Sequence, residues 1–188
     1  SIHSENILPV IKKYLYSENE IFVRELISNG FDAITKLKKI SSQEDVDNLP
    51  ENWKINVTID EKAKTITFSD NGVGLDAEEV QKYINQVAFS GATDFVEKYK
   101  DKDDAETIIG HFGLGFYSSF IVSENVEIES LSYKTKSKPI RWSCDGSTQF
   151  SLVDGTRKDV GTDIILHVGD ESKDYLSEMK ITELVKKY

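Results

Sequence analysis

The hydrophobic pattern of this chain changes period several times, and the order of the changes leaves few folds open. Residues 4–16 place Ile7, Leu8, Ile11 and Leu15 at helical spacing, and residues 18–40 predict a longer helix with Phe22, Leu26, Ala33, Leu37 and Ile40 along its core stripe. A polar loop, 41–52, ends near Pro50. The period then falls to two: Ile55, Val57 and Ile59 alternate, Asp60 to Lys64 turn the chain, and Ile66 and Phe68 alternate again. A helix is predicted near 76–84, and another follows Gly115 through Ile121. Strands are predicted near 125–133, 139–144, 148–153 and 162–168, then a helix over 172–188. Helices, a hairpin, helices and a run of strands predict an α+β two-layer sandwich: a mostly antiparallel mixed sheet with helices on one face.

Composition narrows the function classes. At 188 residues one domain is expected, large enough to bury most of its apolar surface. Lys plus Arg number 23 against 33 Asp plus Glu, a net charge of -10, which argues against nucleic acid or an anionic membrane as the main partner. No apolar run approaches the roughly 20 residues that span a bilayer. The opening Ser-Ile-His-Ser-Glu is not a signal peptide, and without a Met it reads as trimmed or processed. The lone Cys144 excludes an intrachain disulfide and fits a reducing compartment; alternating with Trp142, it reads as core rather than nucleophile. His3, His111 and His167 have no metal-ligand spacing. Residues 90–109 carry a dense charge run that marks a solvated or mobile segment.

Three short motifs carry chemistry. In Arg24-Glu25-Leu26-Ile27-Ser28-Asn29-Gly30-Phe31-Asp32, the residues Glu25, Asn29 and Asp32 fall at i, i+4 and i+7 on one helix face. They span about 10 Å, the reach of an extended di- or triphosphate. A carboxylate and a carboxamide in one row suit Mg²⁺, which accepts one protein oxygen beside phosphates and waters, and leave a second carboxylate to orient or deprotonate a water. The plainer reading is a helix with its wet face outward. The second motif is Asp70-Asn71-Gly72-Val73-Gly74-Leu75. A carboxylate at a strand end can accept from an exocyclic amine such as that of adenine, and glycines let backbone approach a ligand; an ordinary turn would look the same. The third, Gly110-His111-Phe112-Gly113-Leu114-Gly115-Phe116, is a glycine-rich loop opening a helix, where free N–H groups face phosphate. It is neither a dinucleotide fingerprint nor a P-loop.

Taken in order, the three motifs resemble those of the Bergerat-fold (GHKL) ATPases, which include gyrase B, MutL, histidine kinases and the ninety-kilodalton heat-shock chaperones. The wording beyond the motifs is similar to the chaperones, in particular their bacterial members. It includes Tyr16-Ser17-Glu18-Asn19-Glu20-Ile21-Phe22-Val23-Arg24-Glu25-Leu26-Ile27-Ser28-Asn29, Ala88-Phe89-Ser90-Gly91, Gly113-Leu114-Gly115-Phe116-Tyr117-Ser118 and Gly161-Thr162. The resemblance runs from about residue 4 to 188. It implies that 1–188 is the N-terminal nucleotide-binding domain, with the middle and C-terminal domains absent, of a cytoplasmic ATP-dependent chaperone acting on unfolded or client proteins.

By that resemblance, Glu25 is the general base that activates water and Asn29 binds Mg²⁺ and phosphate. Asp70 accepts from the adenine amine, with Thr162 supporting it through water. Gly74 and Leu75 line the adenine pocket, and Asp32 belongs to the polar wall near the phosphates. The backbone of Gly113, Leu114, Gly115 and Phe116 meets the phosphates of ATP or ADP, and residues from about 90 to 115 form a lid. Three departures bear on the phosphate end: Phe89 stands where the family has Lys, Tyr83 where it has Asn, and His111 where it has Gln. Loss of the lysine removes a point charge from the phosphates. The family's catalytic arginine lies in the middle domain, so this chain is expected to bind ATP and ADP but turn ATP over very slowly. The full-length protein is expected to be a homodimer and this domain a monomer. A DNA-handling ATPase of the same fold is a rival that the charge and the Phe116-Tyr117-Ser118 wording disfavour. A module that uses nucleotide only as a switch is a second rival.

Overall fold

The computed structural model describes residues 21–81, 115–146 and 150–187. The helix expected over 4–16, most of the charged segment 90–115, and Gly113, Leu114, Phe89, Tyr83, His111 and His3 lie outside the described residues.

The long helix, α1, is described over Ile21–Gln43. Its stripe of Ile21, Phe22, Leu26, Ile34 and Leu37 is buried, while Ala33 and Ile40 are only half-buried at its margin. At its end the hydroxyls of Ser41 and Ser42 donate back to the carbonyls of Lys38 and Lys39, at 2.9 and 2.7 Å, as second partners of acceptors in the helix ladder. The hairpin follows as β1 (Ile55–Asp60) and β2 (Thr65–Asp70). Asp60 shapes its turn by accepting from the Ala63 N–H at 3.0 Å. A one-turn helix, α2 (Ala77–Glu79), begins at a capping box in which Asp76 and Glu79 each accept from the other's backbone N–H.

From the end of the glycine-rich motif, Gly115–Ser118 form a 3-10 turn that leads into α3 (Ser119–Val122). The remaining strands are β3 (Ser123–Leu131), β4 (Ile140–Cys144), β5 (Phe150–Asp154) and β6 (Gly161–Val168). The single helix expected over 172–188 is two elements, a 3-10 stretch at Asp170–Tyr175 and α4 at Glu178–Lys187.

The α+β expectation is borne out. The sheet has six strands in the order β1-β2-β6-β3-β4-β5, and every pairing among the described residues is antiparallel. Strand β6, near the end of the chain, inserts between the hairpin and β3. Helices cover one face. There Phe22 of α1 meets Phe68 edge-on at 6.2 Å between ring centres and Tyr175 at 5.2 Å, and Phe116 meets Trp142 at 5.7 Å. Trp142 is buried and Cys144 packs against the core half-buried. No helix among the described residues is long and apolar enough to cross a membrane.

Candidate functional site

The site grows out of the strand register. On the helix-covered face, successive rows cross β2, β6 and β3. Ile66, Leu166 and Val126 make one row, and Phe68, Ile164 and Ile128 the next. In the row after that, Asp70 stands opposite Thr162, and Thr162 opposite Ser130. Side chains two residues apart share a face, so this polar row continues an apolar surface. All three residues are buried.

The loop after β2 fastens this end of the sheet to α1. Gly72 lies so close to the backbone of Ala33 and Ile34 that a Cβ would sit 2.5 Å from the Ala33 carbonyl carbon. The Val73 N–H donates to the Ala33 carbonyl at 3.1 Å, and the Tyr133 N–H donates to the Val73 carbonyl at 2.9 Å. Gly74 has φ +69°, and any Cβ there would collide with the Leu131 carbonyl oxygen. The Asp-x-Gly-x-Gly pattern is thus explained by two close backbone approaches.

A cavity of about 450 Å³ opens between the polar row, this loop and α1. Among the residues singled out from sequence, it brings together Asn29, Asp32, Asp70, Gly74, Leu75, Phe116 and Thr162. Asn29 is half-buried and Asp32 exposed, so the polar helix face is partly covered rather than wholly wet. Glu25 does not line the cavity. It is buried one turn before Asn29, and its carboxylate accepts from the Arg24 guanidinium at 2.7 Å. Gly115 opens the 3-10 turn beside the site.

Asp70 is the electrostatic centre. One carboxylate oxygen accepts from the Gly72 N–H at 2.9 Å. Burial pushes its pKa up to about 6, against the opposing pull of the Gly72 N–H and the charge of Arg157. That guanidinium donates to the backbone carbonyl of Asp70 at 3.0 Å and to the Asp163 carboxylate at 2.6 Å. The carboxyl group, held on the protein side by the Gly72 N–H, lines the cavity.

The remaining wall is apolar: Ala33, Val73, Ile128 and Ile164. Sequence reasoning put Ala33 in the core stripe of the helix and Val73 in the second motif, and assigned none of the four to the site. The alternation of Ile128 and Ile164 marks them as facing the core, but nothing local says which stretch of that face is left uncovered. Ser130 was missed as well. Its only sequence signal is a polar residue in phase with Val126 and Ile128.

An apolar slot with one acceptor-rich end accommodates a flat heterocycle that carries an amine. Comparison with known proteins narrows this further. The family described as histidine kinase-, DNA gyrase B-, and HSP90-like ATPase matches residues 16–156. Over 187 residues, all of this chain, the sequence is 50% identical to Chaperone protein HtpG of Bacteroides thetaiotaomicron and 49% identical to that of Porphyromonas gingivalis. It is 41% identical over 185 residues to that of Borreliella afzelii. The chain spans 27% of the length of the two former relatives and 30% of the third. With most of the chain inside the family match, and the cavity walled by elements that carry the motifs, the chain belongs to the histidine kinase-, DNA gyrase B- and HSP90-like ATPases, as a nucleotide-binding domain.

Proposed function

We propose that this domain binds ATP and ADP with Mg²⁺ and drives the conformational cycle of a cytoplasmic, homodimeric chaperone that acts on unfolded or client proteins. The observation that carries the reading is Asp70: a carboxylate buried at the end of an apolar slot, with its backbone but not its carboxyl group engaged by Arg157. The relatives' name, Chaperone protein HtpG, supports the cellular role.

In this reading the adenine ring enters between Gly74, Leu75 and the apolar wall. Its amine donates to Asp70, and Thr162 supports that contact through one water. Asn29 holds a phosphate oxygen and Mg²⁺, and Asp32 contributes to the polar wall near the phosphates. The backbone of Gly113, Leu114, Gly115 and Phe116 donates to the phosphates, with residues from about 90 to 115 closing over them.

The donor set fits the metal. Asn29 brings one amide oxygen to the cavity wall, with Asp32 beside it. Mg²⁺ suits a site where the protein offers a single oxygen and phosphates and waters complete the shell. Bound there, the ion neutralises charge on the phosphates. Glu25 takes a proton from the attacking water. Arg24 donates to Oε1 at 2.7 Å, so the other carboxylate oxygen is the one that would take the proton. Phe89 in place of the family's lysine leaves phosphate binding to the backbone and the metal.

Calorimetric titration of ADP with Mg²⁺ tests the proposal. Saturable binding is expected for the native chain, and a loss of at least about a hundredfold for Asp70→Asn, which replaces an acceptor with an amide that presents donors. Absence of binding by the native chain at millimolar nucleotide would reject it. In the full-length protein Glu25→Ala should abolish turnover while ADP still binds; unchanged turnover would leave nucleotide as a switch only. This chain alone should turn ATP over far more slowly than the full-length protein.

A further inference from the structure

We infer that Ser130, which does not line the cavity, sets the purine preference of the site by fixing the direction of the Thr162 hydroxyl. The inference rests on the nucleotide reading above. Ser130 is fully buried behind Thr162, at 0% exposure, and its Oγ has three polar neighbours. The Leu75 N–H donates to it at 2.8 Å. It lies 3.1 Å from the Gly161 carbonyl, to which it can only donate. It lies 2.7 Å from the Thr162 hydroxyl, a contact in which either oxygen can be the donor.

A hydroxyl has one proton and two lone pairs. Leu75 can only give a proton and Gly161 can only receive one. All three contacts are therefore made together in one way alone: Ser130 donates to Gly161, and Thr162 donates to Ser130. The proton of Thr162 is then spent on the protein interior. Toward the cavity it has only lone pairs, beside the Asp70 carboxylate, which when ionised also only accepts. That end of the slot is acceptor throughout.

Such a wall favours a ring edge with an amine and disfavours one with a carbonyl oxygen at the same place. Adenine carries the amine at C6, and hypoxanthine carries the oxygen. Without Ser130, the Thr162 hydroxyl is free to rotate and donate to that oxygen, directly or through a water. Ser130 is thus a positioning residue that acts through Thr162. The geometry that holds it is the register of β3 on β6, which places the two hydroxyls opposite one another, together with the loop that presents the Leu75 N–H.

The test is the ratio of dissociation constants for inosine diphosphate and ADP, by calorimetry with Mg²⁺. The native chain should prefer ADP. Ser130→Ala should cut the preference by about tenfold, mainly by improving inosine diphosphate, and Ser130→Thr, which keeps the hydroxyl, should retain it. A purely structural role would weaken both nucleotides equally, and an unchanged ratio in Ser130→Ala overturns the inference while leaving the nucleotide site intact. If that variant does not fold, the near-isosteric Ser130→Cys decides: its thiol is a weak donor and acceptor, so the preference should fall, and an unchanged ratio overturns the inference. Binding of neither nucleotide by the native chain would reject the nucleotide reading and this inference with it.

Discussion

The same three central strands carry carboxylates on both faces of the sheet, and the two faces treat them in opposite ways. On the helix-covered face Asp70 is buried, Arg157 bonds its backbone carbonyl, and desolvation outweighs that charge and lifts the carboxyl pKa to about 6. On the other face Glu127 accepts from Arg141 at 3.1 and 3.4 Å and contacts the His167 Nε2 at 2.7 Å. Burial pushes Glu127 up, but the hydrogen bonds from His167 and Arg141 outweigh it and hold the carboxyl group below its usual range. Glu129, two residues on, is buried and accepts from the N–H groups of Thr156 and Arg157, pinning the loop that carries the guanidinium beside Asp70. A carboxylate that pairs within the protein serves the fold; one that is desolvated and left unpaired is held ready for a ligand.

Asp70→Asn offers the largest test of this contrast. Because the folded pKa lies above the ordinary value of 3.8, folding favours the protonated acid. The contribution of Asp70 to stability is fully present below 3.8 and is lost as pH rises through about 6. At pH 7 the ionised group therefore costs roughly 3 kcal/mol, and Asp70→Asn should gain up to about that much stability. The gain should shrink toward pH 4. Urea unfolding at both pH values checks it, and a variant less stable at pH 7 would break the contrast.

Nucleotide affinity should show the other side of the same shift. Protonation removes the acceptor, so ADP binding should weaken as pH falls below about 6, by about tenfold at pH 5 relative to pH 7. Calorimetry across that range, repeated in buffers of different ionisation enthalpy to separate the nucleotide's own titration, reads it out. A flat profile would mean that the carboxyl group does not hold the ligand.

The paired face should respond with the opposite sign. The stabilisation from Glu127 is present above its ordinary value of 4.5 and is lost as pH falls through its lower folded value. Glu127→Gln should cost about 1 kcal/mol at pH 7, and less at high salt, because the cluster is partly solvated. Thermal unfolding at two salt concentrations checks this. The smallest effect belongs to the exposed pair of Lys64 and Asp170, 3.3 Å apart. Lys64→Ala should change stability by less than about 0.5 kcal/mol by the same measurement.

Much of this architecture is legible in periodicity. The alternation of Ile55, Val57 and Ile59, and of Ile66 and Phe68, identifies the hairpin because a strand has one buried face and a side-chain period of two. The same alternation, carried two residues further, puts Asp70 on the buried face, and a carboxylate in an apolar phase is itself a functional signal. The break near Leu176 is harder to see. There the chain leaves a 3-10 stretch and begins α4 at Glu178, where Ser177 caps the new helix by accepting from the Lys180 N–H at 3.4 Å while Tyr175 packs on Phe22 of α1.

What the sequence determined by itself was the order of elements, the phase of each strand and the residue types available for chemistry, since these follow from short-range periodicity and from the groups that each side chain carries. The neighbours were decided only in three dimensions. Strand β6 lies between β2 and β3, far from both along the chain, and that insertion is what sets Thr162 between Asp70 and Ser130. Which part of an apolar face stays open, which carboxylate finds a cation, and which hydroxyl loses its proton to the interior are properties of pairs from distant segments. No local pattern encodes them, because burial and hydrogen bonding are settled by whatever the folded chain brings alongside.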